Sequence, residues 1–194
     1  MKKDNVMNNR PLLAVLAISL LLALGCGTTQ QTRYLHKNAD LGAITKVAVL
    51  PFENLATERT AGDKVQKIFT LELLSLDVFQ LSEPGEVTKA LRLQSTPEAL
   101  GPNDYKKIGK DLGVDGLFVG AVVDFADAHT GSTPTPEVTV QLRLIETATG
   151  STVWSTGQTR SGAGVSTRLF GVGGESLTEA ARRIVRSELK TLLK

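Results

Sequence analysis

The sequence has almost none of the sulfur on which disulfide scaffolds depend. Its 194 residues include a single cysteine, Cys26. A disulfide needs two thiols, and cysteine-based zinc sites use several, so the chain can build neither within itself. This one thiol stands at the end of an aliphatic run, a position that suits a different chemistry.

Histidine is nearly as scarce, which disfavours catalysis. A nucleophile needs a base that a third group holds in place. The histidines are His36, in a predicted linker, and His129, in a predicted loop. In the stretch DFADAHTGS, Asp124 and Asp127 could join His129 as metal ligands, but polar clusters at hairpin ends are more typical of solvated turns. We therefore predict a non-catalytic protein without a metal or cofactor.

Two glycine-rich stretches, GAGVST at 162–167 and GVGG at 171–174, raise the question of a phosphate-binding loop. Neither has the glycine spacing or the following lysine of nucleotide-binding loops. Glu175 comes directly after the second stretch and would repel an anion. These stretches predict a loop.

The chain has one long hydrophobic run, from Pro11 to Leu24. As a helix the run would extend about 21 Å, at ~1.5 Å per residue, which is short of the ~30 Å hydrocarbon core of a bilayer. Lys2, Lys3 and Arg10 precede it, and small residues follow it. This arrangement is typical of a secretory signal peptide, which we assign to residues 1–25.

No excess of either charge remains once that segment is removed. The whole chain has 22 basic and 20 acidic residues, and residues 1–25 contain three basic residues and Asp4. The remainder therefore carries 19 residues of each sign. Because nucleic-acid binding requires a concentrated positive surface, the composition argues against a nucleic-acid partner.

The residues before Cys26, Leu22-Ala23-Leu24-Gly25, resemble the lipobox of bacterial lipoproteins. That pattern has Leu three positions and Ala two positions before the cysteine, whereas here the two are swapped. The resemblance implies cleavage before Cys26 and acylation, with palmitate as a typical chain, so that the lipid anchors the protein to a membrane. Each buried acyl methylene contributes ~0.8 kcal/mol, so two or three chains anchor stably. Because Gly27 is not the Asp that retains lipoproteins at the inner membrane in enterobacteria, the resemblance favours the periplasmic face of the outer membrane.

The residues after Cys26 are polar and small and have no sustained period. We interpret 26–45 as a lipidated N-terminus followed by a mostly flexible tether, and 46–194 as one domain. As a random coil such a tether would extend about 24 Å on average (~5–6 Å × √n). The domain would therefore stay close to its membrane.

The first half of the domain alternates strand and helix patterns. KVAVLPF predicts a central strand covered on both faces, and its regular pairing should end near Pro51. TERTAGDKVQKIFTLELLS predicts a helix, DVFQL a short strand, and SEPGEVTKALRL a helix with Pro84 in its first turn. PNDYKKIGKDLGV predicts a helix capped by Asn103 and ended by a left-handed Gly113.

The second half changes to a period of two. Val138, Val140, Leu142 and Leu144 should share one face of a strand, and Gly150 suits a hairpin turn. SLTEAARRIVRSELKTLL predicts a closing helix that begins at Ser176. The fold class that follows is α/β, a single-domain sandwich of a mixed, largely antiparallel β-sheet with packed α-helices.

Several phrases, KVAVLPFENL, LGVDGLFVGAVVDF and VTVQLRLIETATGSTVWS, look like the superfamily of the curli-secretion lipoprotein CsgG, the amino-terminal domain of TolB and the penicillin-binding-protein activator LpoB. The likeness spans about residues 46–192. It implies an α/β sandwich that serves as a non-catalytic adaptor in cell-envelope biogenesis and binds an envelope protein. It also leaves a homo-oligomer open.

The alternative within this resemblance is a subunit of an oligomeric CsgG-like secretion assembly. CsgG has two membrane hairpins, and each needs two strands of ~9–11 residues with an apolar stripe. The corresponding stretches here, AHTGSTPTPE and GAGVSTRLFGVGGE, are short and mostly polar. We therefore expect the chain not to form such a pore.

The closing helix presents a basic face, formed by Arg182, Arg183, Arg186 and Lys190. A solvated helix face explains most of this pattern, and Glu179 can pair with Arg183 at i,i+4. The alternative is a docking surface for an acidic partner or lipid headgroups. Under either interpretation, reversing the charge of Arg182 and Arg186 should preserve folding, because surface changes usually cost within ~0.5 kcal/mol.

Overall fold

The computed structural model describes residues 29–93, 100–130, 133–161 and 175–193. The predicted signal peptide, Cys26 and the glycine-rich stretches at 162–174 lie outside the described residues. The backbone of His129 is described but its side chain is not.

The described elements follow one another along the chain as seven strands and four helices, with a short 3₁₀ turn at Leu41–Ala43. The strands are β1 (Thr29–Leu35), β2 (Lys46–Val49), β3 (Glu53–Asn54), β4 (Gln80–Leu81), β5 (Gly116–Thr130), β6 (Thr133–Glu146) and β7 (Ser151–Ser161). The helices are α1 (Ala61–Leu74), α2 (Pro84–Arg92), α3 (Pro102–Leu112) and α4 (Leu177–Leu192). None of the helices in this part of the chain is long and apolar enough to cross a membrane.

All the described strands belong to one mixed sheet, in the order β1-β7-β6-β5-β2-β4, with β3 paired to β5. The pairs β1–β7, β7–β6 and β6–β5 are antiparallel, whereas β2 is parallel to both β5 and β4, and β3 is parallel to β5. The predicted fold class, a single α/β domain with a mixed, largely antiparallel sheet, is confirmed.

Strand β2 is the central strand that its sequence predicts. Val47 and Val49 belong to one hydrophobic cluster, while Ala48 and Leu50 belong to a second cluster on the other face of the sheet. Regular pairing ends before Pro51, which has no N–H to donate.

The two clusters are covered unequally. Helices α1 and α4 pack along one face and bury the larger cluster, which includes Phe69, Phe118 and Trp154. The alternating residues of β6 from Val138 to Leu144 all point into this cluster, as predicted. Helices α2 and α3 cover the other face only beside β2 and the start of β5, through Val87, Tyr105 and Ile108.

The helix and turn signals are mostly confirmed. Gly113 ends α3 with φ 60°, and Gly150 lies in the β6–β7 turn with φ 73°. Ser176 caps α4 by accepting a hydrogen bond from the Glu179 N–H. The predicted cap at Asn103 is wrong: Pro102 occupies the first helical position and Gly101 precedes it as the cap. A proline suits the first turn because its missing N–H would be unpaired there anyway.

The prediction of a mostly flexible tether is wrong for residues 29–35. These residues form β1, which pairs along its whole length with β7, from Thr29 opposite Arg160 to Leu35 opposite Trp154. The Thr156 hydroxyl also donates a 3.0 Å hydrogen bond to the Thr32 carbonyl. Backbone pairing to an open sheet edge holds this segment, and such pairing leaves no hydrophobic period in the sequence.

Candidate functional site

The side of β5, β6, β7 and β1 that faces away from α1 and α4 forms a polar surface, which we call the outer sheet face. On β6 the residues that alternate with the buried ones, Thr139, Gln141 and Arg143, point to this side. Gln141 and Arg143 are exposed. Helices α2 and α3 border the outer sheet face but do not extend over its middle, so these side chains have no layer above them in the described structure.

Two shallow depressions lie on the outer sheet face. One has a volume of about 520 Å³ and extends from β1 to β5, between Thr32 and Ala121. The other, of about 730 Å³, lies between β1 and the start of α3 and includes Pro102 and Tyr105. They share Tyr34, Arg143 and Ser155, so together they follow one continuous strip of the surface.

The strip offers hydrogen-bonding groups and one exposed tyrosine ring. Hydroxyls dominate it, and two of them, on Thr139 and Thr159, lie 3.1 Å apart across β6 and β7. Arg143 adds a guanidinium, and Tyr34 is 48% exposed. Such a surface is suited to contact with the polar surface of another macromolecule, because tyrosine and arginine are among the residue types enriched in protein interfaces.

The basic face of the closing helix is largely paired with acidic groups. Arg186 Nε donates to Glu72 Oε2 at 2.6 Å, and Arg182 Nε lies 3.5 Å from the other oxygen of Glu72. Arg183 Nε lies 3.0 Å from Glu175 and 3.3 Å from Glu179. The hydrogen bond and the charge of Glu72 raise the pKa of the Arg186 guanidinium.

This pairing changes what the basic face can do. Glu72 lies on α1 and is nearly buried, with its side chain 8% exposed. Arg182 and Arg186 therefore join α4 to α1 before they are available to any partner. Among the described residues, Lys190 is the one member of the predicted basic face without an ion pair. The docking role of the four residues stays a prediction.

The stretch around His129 does not bring its two carboxylates together. Asp124 lies opposite Thr139 and Asp127 opposite Pro136 on a regular stretch of the β5–β6 ladder. Their odd spacing directs the two side chains to opposite faces of the hairpin. Within residues whose placement is described, no group of three histidine, cysteine, aspartate or glutamate side chains could hold a metal ion.

Sequence reasoning missed two buried acids. Glu72 lies on the apolar stripe of α1 with Val65 and Phe69, and Glu188 lies on the stripe of α4 with Val185 and Leu192. Glu188 is 0% exposed, and neither carboxyl oxygen has a hydrogen-bond partner within the described structure. Burial raises the pKa of Glu188 well above its usual value. Their helical spacing from the apolar residues was the available signal.

Three solved structures with a similar fold were compared with the chain. The PelC dodecamer from Paraburkholderia phytofirmans superposes with a TM-score of 0.58 at 18% identity, over 85% of this chain and 97% of PelC. The lipoprotein GNA1162 from Neisseria meningitidis gives 0.52 at 14% identity, over 76% and 99%. The C-terminal domain of LpoB from Salmonella enterica gives 0.47 at 15% identity, over 63% and 85%.

The sequence itself matches no protein-family model and no curated protein. At these identities the structural likeness establishes the fold alone. The chain therefore shares its fold with structures that include a lipoprotein. The more specific resemblance to CsgG and TolB stays a prediction.

Proposed function

We propose that the protein is a lipid-anchored envelope protein that acts by contacts with other proteins in cell-envelope biogenesis, without catalysis. The outer sheet face carries this proposal. It is a broad strip of hydroxyl, amide and guanidinium groups, with the exposed ring of Tyr34, that no helix of the described structure covers. A partner protein that buries this strip would complete the layer that α2 and α3 begin.

The anchor is supported by the sequence around Cys26, which follows the lipobox-like residues Leu22-Ala23-Leu24-Gly25. The fold likeness to GNA1162, which is a lipoprotein, agrees with this anchor. Gly27, which follows the cysteine, is not the Asp that retains lipoproteins at the inner membrane in enterobacteria. We therefore propose that the anchor lies at the periplasmic face of the outer membrane.

Site-specific crosslinking in cells tests the proposed contact surface. A photoreactive amino acid is placed at Gln141 or Ser155, on the outer sheet face, and as a matched control at Lys67, which is exposed on α1 on the other side of the sheet. We expect one and the same envelope protein to be captured from Gln141 and from Ser155, but not from Lys67. Adding Arg143→Glu should reduce the capture. Equal capture from all three positions would contradict the proposal.

A second candidate function, a subunit of a homo-oligomeric assembly, is favoured by one comparison. PelC is a dodecamer, and the matched region covers 97% of its chain. In the same crosslinking experiment, this candidate predicts products whose mass is a multiple of the chain itself. Mass photometry of the lipidated protein in detergent provides an independent measurement of the copy number.

A further inference from the structure

We propose that the free edge of strand β1 pairs with the β1 strand of a second copy of this chain, antiparallel and around a twofold axis at Thr32. This pairing joins the sheets of the two copies into one. The inference rests on the second candidate function, the homo-oligomer, and names an interface for it; it does not depend on the lipid.

Strand β1 is a long strand at one end of the sheet. Among the described strands it pairs with β7 alone. It has seven residues, whereas the strand at the opposite end, β4, has two. The side chains from Gln31 to Leu35 are all exposed, and those of Tyr34 and Leu35 are 48% and 40% exposed. No described part of the chain therefore covers this edge.

This edge lacks most of the features by which proteins prevent an end strand from pairing. Such features are a proline, a β-bulge, a very short strand or charged side chains. The register between β1 and β7 runs without a shift from Thr29 to Leu35, and β1 contains no proline. Arg33 is its one charged residue. The edge of β1 is therefore open to an added strand.

The backbone groups that β1 directs away from β7 form a regular series. The N–H of His36 donates to the Val153 carbonyl of β7, and the two sides of an antiparallel strand alternate residue by residue. The odd-numbered residues of β1 therefore point both their N–H and their C=O away from β7; they are Thr29, Gln31, Arg33 and Leu35. A strand that satisfies these groups needs free groups at the same two-residue spacing, which a second β1 supplies.

The sequence of β1 fits its own antiparallel copy in one register. A twofold axis at Thr32 places Gln31 opposite Arg33 of the second copy, and it pairs the whole outward series in about eight hydrogen bonds. An axis at Arg33 would pair fewer of these groups and would place two guanidiniums directly opposite each other, which is destabilising. With the axis at Thr32, the two Arg33 side chains are diagonal neighbours about 7–8 Å apart, close to the screening length of physiological salt.

The pairing also extends the outer sheet face. Thr32 lines one of the two depressions on that face, and Tyr34 lines both. In the paired sheet these residues lie beside Thr32 and Tyr34 of the second copy. A partner protein that docks on the outer sheet face then meets a surface formed by two chains.

A proline at the free edge tests the pairing. Because the N–H of Gln31 points away from β7, Gln31→Pro removes a donor to the second copy and keeps the β1–β7 ladder. Gln31→Ala, which retains the N–H, is the matched control. Native mass spectrometry of the full lipidated chain in detergent gives the copy number. We expect an even number of copies for the unsubstituted chain and for Gln31→Ala, and at most half that number for Gln31→Pro. A monomeric unsubstituted chain, or a copy number that Gln31→Pro leaves unchanged, would overturn the inference.

Disulfide formation tests the register independently. Thr32 faces Thr32 of the second copy in a non-hydrogen-bonded pair, whose Cα atoms are about 4.5 Å apart and within disulfide reach. Under mild oxidation, Thr32→Cys should form a covalent dimer several-fold faster than Arg33→Cys, whose diagonal separation is too long, or Gln141→Cys, in the middle of the outer sheet face. The unsubstituted chain controls for cross-linking through Cys26, its one native cysteine. Equal rates at positions 32, 33 and 141 would overturn the inference.

The same measurements separate this interface from the functions proposed above. A copy number that survives Gln31→Pro overturns the β1 interface and leaves a homo-oligomer that forms through another surface. A monomeric chain that still captures one envelope protein from Gln141 and Ser155 overturns the interface and the second candidate function, and leaves the proposed contact with an envelope protein in place.

Discussion

Arg186 and Glu72, which are 114 residues apart in the chain, are joined by a 2.6 Å hydrogen bond between Nε and Oε2. Arg182 approaches the second oxygen of the same carboxylate, so two arginines of α4 hold one acid of α1. The arginine side chains are 39% and 59% exposed, whereas that of Glu72 is 8% exposed. The pairing thus satisfies a nearly buried charge with groups that remain in contact with water.

Reversing these two charges should destabilise the domain, contrary to the expectation from sequence that folding would be unaffected. Arg182→Glu with Arg186→Glu leaves the Glu72 carboxylate unpaired and places two like charges beside it, and an uncompensated buried charge is strongly unfavourable. We expect the melting temperature, followed by circular dichroism, to fall by more than about 4 °C. Lys190→Glu, on the same helix, is the matched control and should change it little.

Neutralising the acid should rescue the double variant. Adding Glu72→Gln removes the buried charge, so the melting temperature of the triple variant should lie above that of the double variant. A double variant that melts with the Lys190→Glu control would contradict the structural role of the pairing and restore the simple surface interpretation.

Glu188 should make the stability depend on pH in the direction opposite to that of a paired acid. Because burial raises the pKa of Glu188 in the folded state, the folded protein keeps this proton at pH values at which the unfolded chain has released it. The stabilisation is fully present below the ordinary pKa of about 4.3 and is lost as the pH rises through the folded value. Glu188→Gln should flatten this loss, and Glu188→Met should raise the free energy of unfolding at neutral pH by about 1–3 kcal/mol. Urea titrations from pH 4 to pH 8 measure both effects, and a wild-type stability that rises across this range relative to Glu188→Gln would contradict the prediction.

Gly150 should tolerate no side chain. It has φ +73°, and an added Cβ would collide with the carbonyl of Pro102 at the start of α3. We expect Gly150→Ala to cost about 2 kcal/mol or more of stability, since the left-handed conformation alone costs about 1–2 kcal/mol for other residues. Gly85→Ala in α2 is the control: a Cβ there meets nothing within 4 Å, and alanine should stabilise the helix by about 0.5–1 kcal/mol. Equal stability of the two variants in urea would contradict this prediction.

The pairing of β1 with β7 predicts that proline has different effects at neighbouring positions of β1. The N–H of His36 donates to the Val153 carbonyl, and because such bonds alternate along an antiparallel pair, the N–H of Thr32 faces β7 whereas that of Gln31 faces away. Thr32→Pro should therefore release β1, while Gln31→Pro should be tolerated. Limited trypsin digestion should cleave after Arg33 faster in the first variant only. Equal cleavage in both would indicate that the segment is the flexible tether that the sequence predicts.

Local sequence signals predicted most of this fold, and long-range pairing accounts for the rest. The alternation at Leu142 and Leu144, and the glycine that ends α3, are properties of a few neighbouring residues. The β1 strand depends on a partner more than 100 residues later in the chain, and the residues that it presents, such as Gln31 and Arg33, show no hydrophobic period.

The candidate site was predictable only in part. The polar members of the β6 alternation, such as Gln141, indicated a face that does not enter the main core. Whether a helix covers that face depends on where α2 and α3 pack, which no local pattern decides. The sequence showed the arginines of α4 as a basic stripe. The acid that forms ion pairs with two of them, Glu72, lies on a different helix, α1.

The proposed function depends on a lipid at Cys26. Its most direct test is the intact mass of the protein purified from membranes, together with the mass of its N-terminal peptide. We expect a chain that begins at Cys26 and carries a diacylglyceryl group and an amide-linked acyl chain, and we expect Cys26→Ser to abolish this mass and the membrane association. A membrane-bound protein whose Cys26 thiol is free, or a Cys26→Ser variant with unchanged fractionation, would contradict it.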